Sequence, residues 1–120
     1  WFAARLDDVL NFVPARLTGS LIIVTSFLLG QHPIIGLRVW ARDRKKGPSP
    51  NGGIPIITFA GVRDIALGGD CVDQQGRKIH IPFVGGRKKQ FGREEISLAL
   101  AFHYGVTFLF CLIISVLYLI

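Results

Sequence analysis

The sequence predicts an all-α integral membrane protein in which transmembrane or re-entrant helices flank a basic cytosolic loop carrying a short helix and room for a small hairpin. Three observations carry this. Residues 96–120 contain no formal charge. Half of the 120 residues are hydrophobic, and the mean hydropathy of +0.45 is high for a soluble domain. Of the 14 Lys and Arg, 12 fall within residues 38–93, against 8 Asp and Glu in the whole chain, for a formal net charge of +6. Apolar and basic character therefore occupy separate segments. That pattern speaks against intrinsic disorder, a soluble enzyme or a disulfide-stapled secreted module, and the length allows one domain.

Residues 1–16 read as the polar end of a helix. Residues 17–37 read as a membrane helix, either spanning or re-entrant: no charge lies between Arg16 and Arg38, but the unbroken apolar run is only Leu17 to Leu29 before Gly30, Gln31, His32 and Pro33. So short a run suits a re-entrant or buried helix as well as a span, and Pro33 would kink a continuation. Residues 38–95 form the basic loop. Its Gly47-Pro48-Ser49-Pro50-Asn51-Gly52-Gly53 run breaks both helix and strand. A short helix follows from Ile54 to Leu67, with Pro55 in its first turn and Gly68-Gly69 as its stop. Lys78 to Phe83 alternates polar and apolar, and Asp73-Gln74-Gln75-Gly76 resembles a turn, so a hairpin pairing this segment with Cys71-Val72 is predicted. Residues 96–120 are a transmembrane helix, on which Ser97, Ala101 and Gly105 make a small-residue face for close helix packing.

The lysine and arginine excess places the loop in the cytosol and Ile120 outside. The chain contains no Met and opens without a basic region or cleavage site, so it reads as a C-terminal fragment of a multi-pass protein of the cell membrane, without a signal peptide. Cys71 and Cys111 are badly placed to pair and have no metal-ligand spacing.

The chain has no phosphate loop, zinc-protease, nucleophile-elbow or paired-cysteine signature. Polar clusters at the edges of the apolar segments remain. In the first, Asp7, Asp8, Asn11 and Arg16 gather at the lip of an apolar helix. Asp8 and Asn11, three apart, share a helix face, and hard oxygen ligands so arranged suit Mg²⁺; the same residues also make an ordinary capped helix end with an interfacial arginine. In the second, Arg42, Lys45 and Lys46 precede the turn containing Ser49, Asn51, Gly52 and Gly53, which offers cations and free backbone N–H groups to an anion. A basic patch on acidic lipid headgroups is the competing reading. The third, Arg87-Lys88-Lys89 with Arg93, reads as a solvated flank. His103, an ionisable group inside the last helix, is either functional or a hydrogen-bonded packing residue.

Asp7-Asp8-Val9-Leu10-Asn11-Phe12-Val13-Pro14-Ala15-Arg16-Leu17-Thr18, then Arg42-Asp43, Pro48-Ser49-Pro50-Asn51-Gly52-Gly53, Phe59-Ala60-Gly61 and Leu67-Gly68-Gly69 occur in this order. Over residues 5–100 they resemble the C-terminal part of a cobalamin-biosynthesis membrane protein family, the adenosylcobinamide-phosphate synthases. The resemblance implies an enzyme that joins the free carboxylate of adenosylcobyric acid to aminopropanol or its phosphate in an ATP-dependent amide ligation, with Mg²⁺ as the companion of ATP. The polar clusters are compatible with that task, and on it we expect catalytic roles for Asp8, Asn11, Arg16 and Asn51, metal binding by Asp7 and Asp8, and nucleotide binding by Arg42, Lys45, Lys46, Ser49, Gly52 and Gly53. Implied partners are the corrinoid, the amine, membrane lipid and the remaining N-terminal part of the parent protein, with no nucleic acid. The chain departs from the family's usual pattern at Ile56, Asp64 and Ala66. From the residues alone, a membrane component that binds or transports an anion without catalysis stays open, as does a membrane-surface scaffold.

Overall fold

The computed structural model describes every residue except Pro48, Lys89 and Phe91. Pro48 of the Pro-Ser-Pro-Asn turn and Lys89 of the basic run thus lie outside the described residues. The elements are α1 (Phe2–Leu10), α2 (Phe12–Leu28), α3 (Pro33–Asp43), α4 (Ile54–Val62), β1 (Ala66–Val72), β2 (Lys78–Gly85) and α5 (Arg93–Leu119).

α1 and α2 make one apolar helical stretch, Phe2–Leu28, with a break at Asn11. Pro14 explains the break. It has no N–H to offer the carbonyl of Leu10, so the helical ladder opens one turn before it. Residues 17–37 are not one helix: α2 ends at Leu28 and α3 starts at Pro33, whose missing N–H costs nothing in a first turn. α3 runs back along α2, with Gly36 against Ile23 and Trp40 against Gly19. α4 fills the angle between them, Ile54 meeting Gly19 and Val62 meeting Gly36. Here the backbones touch: a Cβ on Gly61 would lie 2.9 Å from the Gly36 Cα and 2.8 Å from the Val39 Cβ, so small residues are required.

The apolar centre combines Ile22 and Ile23 of α2, Val62 of α4 and Phe102 of α5, with Phe59 and Val106 against it. Phe59 and Phe102 meet edge to face, their centroids 5.4 Å apart. Of the small-residue face expected on the last helix, Gly105 packs on Thr25 of α2.

α4 stops at Val62, short of the expected Leu67. Asp64 turns the chain at φ 52, and Ala66 and Leu67 enter β1 instead. Apolar residues serve helix and strand alike, and here cross-strand pairing decides. β1 and β2 are antiparallel from Ala66 opposite Gly85 to Val72 opposite Lys78, with an irregularity between Leu67 and Gly69. Pro82 lies in the stretch opposite, where a ladder N–H is dispensable. At the tip, the Asp73 carboxylate accepts the backbone N–H groups of Gln75 and Arg77 at 2.8 and 2.9 Å, the turn chemistry of aspartate. At the root, Gly85 holds φ 101 with its Cβ direction blocked by the Ile65 carbonyl, so only glycine fits. The hairpin is longer than expected, and the fold is mostly helical with a two-stranded sheet rather than all-α.

α5 is 27 residues long, about 40 Å at helical rise, enough for a bilayer core of roughly 30 Å. Phe2–Leu28 and Arg93–Leu119 are both long and apolar enough to cross a membrane. Only Glu95 and Phe102 of α5 are buried among the described residues, and apolar side chains such as Phe108, Leu112 and Leu117 face outward.

Candidate functional site

The break at Asn11 turns the end of α1 toward the loop before α4. Asn51, 1% exposed, sits between them with its whole amide engaged. Its Oδ1 accepts from Arg16 Nη1 at 2.9 Å, and its Nδ2 donates to the Asp8 carbonyl at 2.5 Å. Ser49 Oγ donates to Asp8 Oδ1 at 3.0 Å while accepting the backbone N–H groups of Asn51 and Gly52. Arg16 also donates to the Phe12 carbonyl and lies 3.4 Å over the Phe12 ring, so its guanidinium is fixed on several sides. Asn11 Nδ2 donates to Asp7 Oδ1 at 2.8 Å. Between these groups lies a polar cleft of about 240 Å³ lined by Asp7, Asn11, Thr18, Ser49, Asn51 and Pro55, among others. Residues 43 positions apart thus form one site.

Arg42 and Lys46 lie elsewhere. They flank Asp43, whose side chain is fully buried. Arg42 Nε and Nη2 reach its oxygens at 2.7 and 2.6 Å, Lys46 Nζ at 2.8 Å and the Gly85 N–H at 2.9 Å. Arg42 also donates to the Gly85 carbonyl and Lys46 to that of Phe83. The Arg42 guanidinium foremost, with Lys46 and the Gly85 N–H, holds the Asp43 carboxyl well below the usual carboxylate range despite its burial. Asp43 therefore docks the hairpin onto α3. Arg42 and Lys46 keep 57% and 39% of their side chains exposed, and two cations against one carboxylate leave a positive rim. Lys45 is exposed; Gly52 is exposed and Gly53 caps α4. Lys46, Ser49, Gly52 and Gly53 line a second, more apolar cleft of about 340 Å³ with Ile56, Ile57 and β2.

His103 is exposed and lines an apolar cleft of about 310 Å³ with Phe59 and Phe102, next to the polar one through Thr18 and Pro55. In the third basic cluster, Arg87 pairs with Asp64 and Lys88 with Glu95. No group of three or more His, Cys, Asp or Glu stands together at metal-binding distance among the described residues.

The model of the CobD/Cbib protein family matches residues 1–103. The chain belongs to the CobD/Cbib family. It is 45% identical over 69 residues to the cobalamin biosynthesis protein CobD of Mycobacterium tuberculosis, covering 58% of this chain and 22% of that protein. To the cobalamin biosynthesis proteins CobD of Leptospira interrogans and Clostridium tetani it is 39% identical over 95 and 97 residues, covering 79% and 81% of this chain and 30% of each relative. The chain thus spans less than a third of the length of these relatives. No solved structure matches it.

Two charged groups of this CobD/Cbib chain escape a reading by sequence. Asp43, between Arg42 and Arg44, looks like one more surface charge; its one local sign is Lys46 a helical turn ahead. Arg63 grips Glu95 through a fork of 2.8 and 2.9 Å and also donates to Gln31, pinning the start of α5 to the end of α4 and the α2–α3 turn. Separations of 32 residues hide both contacts.

Proposed function

We propose that this chain is part of a membrane enzyme that uses ATP and Mg²⁺ to join adenosylcobyric acid to aminopropanol or its phosphate, giving adenosylcobinamide or its phosphate. The observation carrying the reading is the Asn51 clamp. The two segments with the most specific family resemblance, one from α1–α2 and one from the loop, meet around a single polar cleft through Asn51, Arg16, Ser49 and Asp8.

Amide formation of this kind turns a carboxylate into a better acyl donor, presents a neutral amine and lets negative charge move onto phosphate. The protein's task is positioning and charge stabilisation. Arg16, immobilised on the Phe12 ring, supplies an oriented cation beside the cleft. The Arg42–Asp43–Lys46 rim, with exposed Lys45, supplies positive charge near the glycine-rich loop. Ser49, Gly52 and Gly53 shape the wall between the two clefts. Asp7 and Asn11 present hard oxygen atoms in the polar cleft and Asp8 stands beside them. One or two carboxylates with substrate phosphates are the ligand set Mg²⁺ prefers, so these residues fit that ion. When bound, Mg²⁺ would neutralise phosphate charge. Asn51 acts as the positioning residue, since both of its polar atoms are occupied by protein. In this reading the basic loop faces the cytosol, where ATP is found, and α5 crosses the membrane.

The test is complementation of a strain blocked in cobinamide synthesis with the full-length protein and its Asn51→Ala variant. Losing the clamp takes one of the contacts that orient the half-buried Arg16 and leaves the Asp8 carbonyl without its Asn51 donor, a cost of about 1–3 kcal/mol, so product formation should fall about tenfold or more with membrane abundance unchanged. Failure of the unmodified protein to complement would refute the function. A loss of abundance matching the loss of product would reduce the clamp to scaffolding.

A further inference from the structure

We propose that α1 is a hinged arm that closes over the polar cleft, pivoting at Asn11 and latched through Asp8 to Ser49 and Asn51. This goes beyond the proposed reaction and stands without it. The pivot has a covalent cause, because Pro14 cannot donate to the Leu10 carbonyl and the helix is already open there. Within residues 1–120 the arm is held to the loop by few polar contacts. Asp8 is its one half-buried residue, and the rest of α1 is exposed. Among the described residues, the hydrogen bonds that tie α1 to anything beyond α2 are both made at Asp8, one by its carboxylate and one by its carbonyl. Asp7 brings the arm to the edge of the cleft, and the rest of the lining belongs to the pivot Asn11, to α2 and to the loop and first turn of α4. Rotation about Asn11 therefore moves Asp7 across the cleft while leaving the α2–α3–α4 packing intact. A break in an apolar helix is also tolerated best where it borders a cavity, as this one does.

A latch made of a few polar contacts is a local opening unit, cheap to release compared with global unfolding. A ligand that bridges Asp7 or Asn11 to Ser49 or Gly52 would bind the closed arm better than the open one and shift the population toward closure.

The experiment uses the full-length protein in nanodiscs, with Cys71 and Cys111 replaced by serine. Spin labels at Ala4 and Lys45 report the arm against the loop, and labels at Val24 and Lys45 report the bundle. Without any ligand, Ser49→Ala combined with Asn51→Ala should broaden the arm distance distribution about twofold, as expected for local opening, and leave the bundle pair unchanged. Adding Pro14→Ala, which restores the missing donor, should suppress that broadening. An arm distribution indifferent to the latch substitutions would overturn the proposal. So would equal broadening of the bundle pair, or broadening that persists with Pro14→Ala. None of these readouts requires catalysis, so failure of the arm and failure of the proposed reaction are told apart.

Discussion

Replacing Asp43 by alanine tests whether one buried carboxylate joins the hairpin to the helices. The side chain is wholly buried and accepts from Arg42, Lys46 and the Gly85 N–H. Removing one partner of a fully buried ion pair costs about 3–5 kcal/mol. Arg42 and Lys46 are partly exposed and can return to water, which pulls the estimate down. The Gly85 N–H cannot, and an orphaned buried donor costs about 1–3 kcal/mol. A total near 3 kcal/mol follows, roughly a 10 °C fall in Tm for a chain of this size. Asp43→Asn, which keeps an acceptor for Gly85 but no charge, should lose about half as much. The assay is thermal unfolding in detergent followed by tryptophan fluorescence, since Trp40 packs against Gly19 in the helical core. The pH dependence has a definite sign. The folded-state pKa of Asp43 lies below its unfolded value, so its contribution is complete above the ordinary carboxylate range near pH 4. It is lost as pH falls through the folded-state pKa. A Tm change under about 2 °C for Asp43→Ala, far below the shift expected for an orphaned buried donor, would show that this carboxylate does not join the hairpin to the helices; so would equal acid sensitivity in wild type and Asp43→Ala.

Other outcomes follow from the packing. Gly61→Ala forces a Cβ between Gly36 and Val39 and should cost about 1–3 kcal/mol as overpacking, read in the same melts. Arg63→Lys replaces the fork on Glu95 by a single contact and should lower stability by about 1–2 kcal/mol; a neutral result would show that fork geometry does not matter there. Single cysteines at Asp7 and Pro50, both exposed, should react with a membrane-impermeant maleimide from the same face, because their neighbours Asp8 and Asn51 are hydrogen-bonded. Labelling from opposite faces would contradict the fold.

Elements with local causes can be read along the chain. The uncharged run 96–120 makes α5, Pro55 opens α4, and the Asp73 turn with the alternation from Lys78 to Phe83 makes the hairpin tip. The polar residues of the candidate site were legible as types and as segments, since Asp7, Asp8, Asn11 and Arg16 crowd one helix end and Ser49 and Asn51 one turn. What those residues do to each other depends on how distant segments pack. Asn51 has no partner within its own turn that needs both of its side-chain atoms; it finds them on Arg16 and Asp8, 35 and 43 residues away. Asp43 looks solvated beside Arg42 and Arg44 until Gly85 arrives to bury it. Ile65 and Ala66 suit a helix as well as a strand until the segment after β2 comes alongside, where Gly86 donates to the Ile65 carbonyl and Ala66 donates to that of Lys88. A proline's missing donor or a turn's side-chain bond acts within a few residues and can be read from the chain. Burial and pairing depend on which distant segment comes to lie alongside, and here it was the return of α3 and α4 along α2 that brought those segments together.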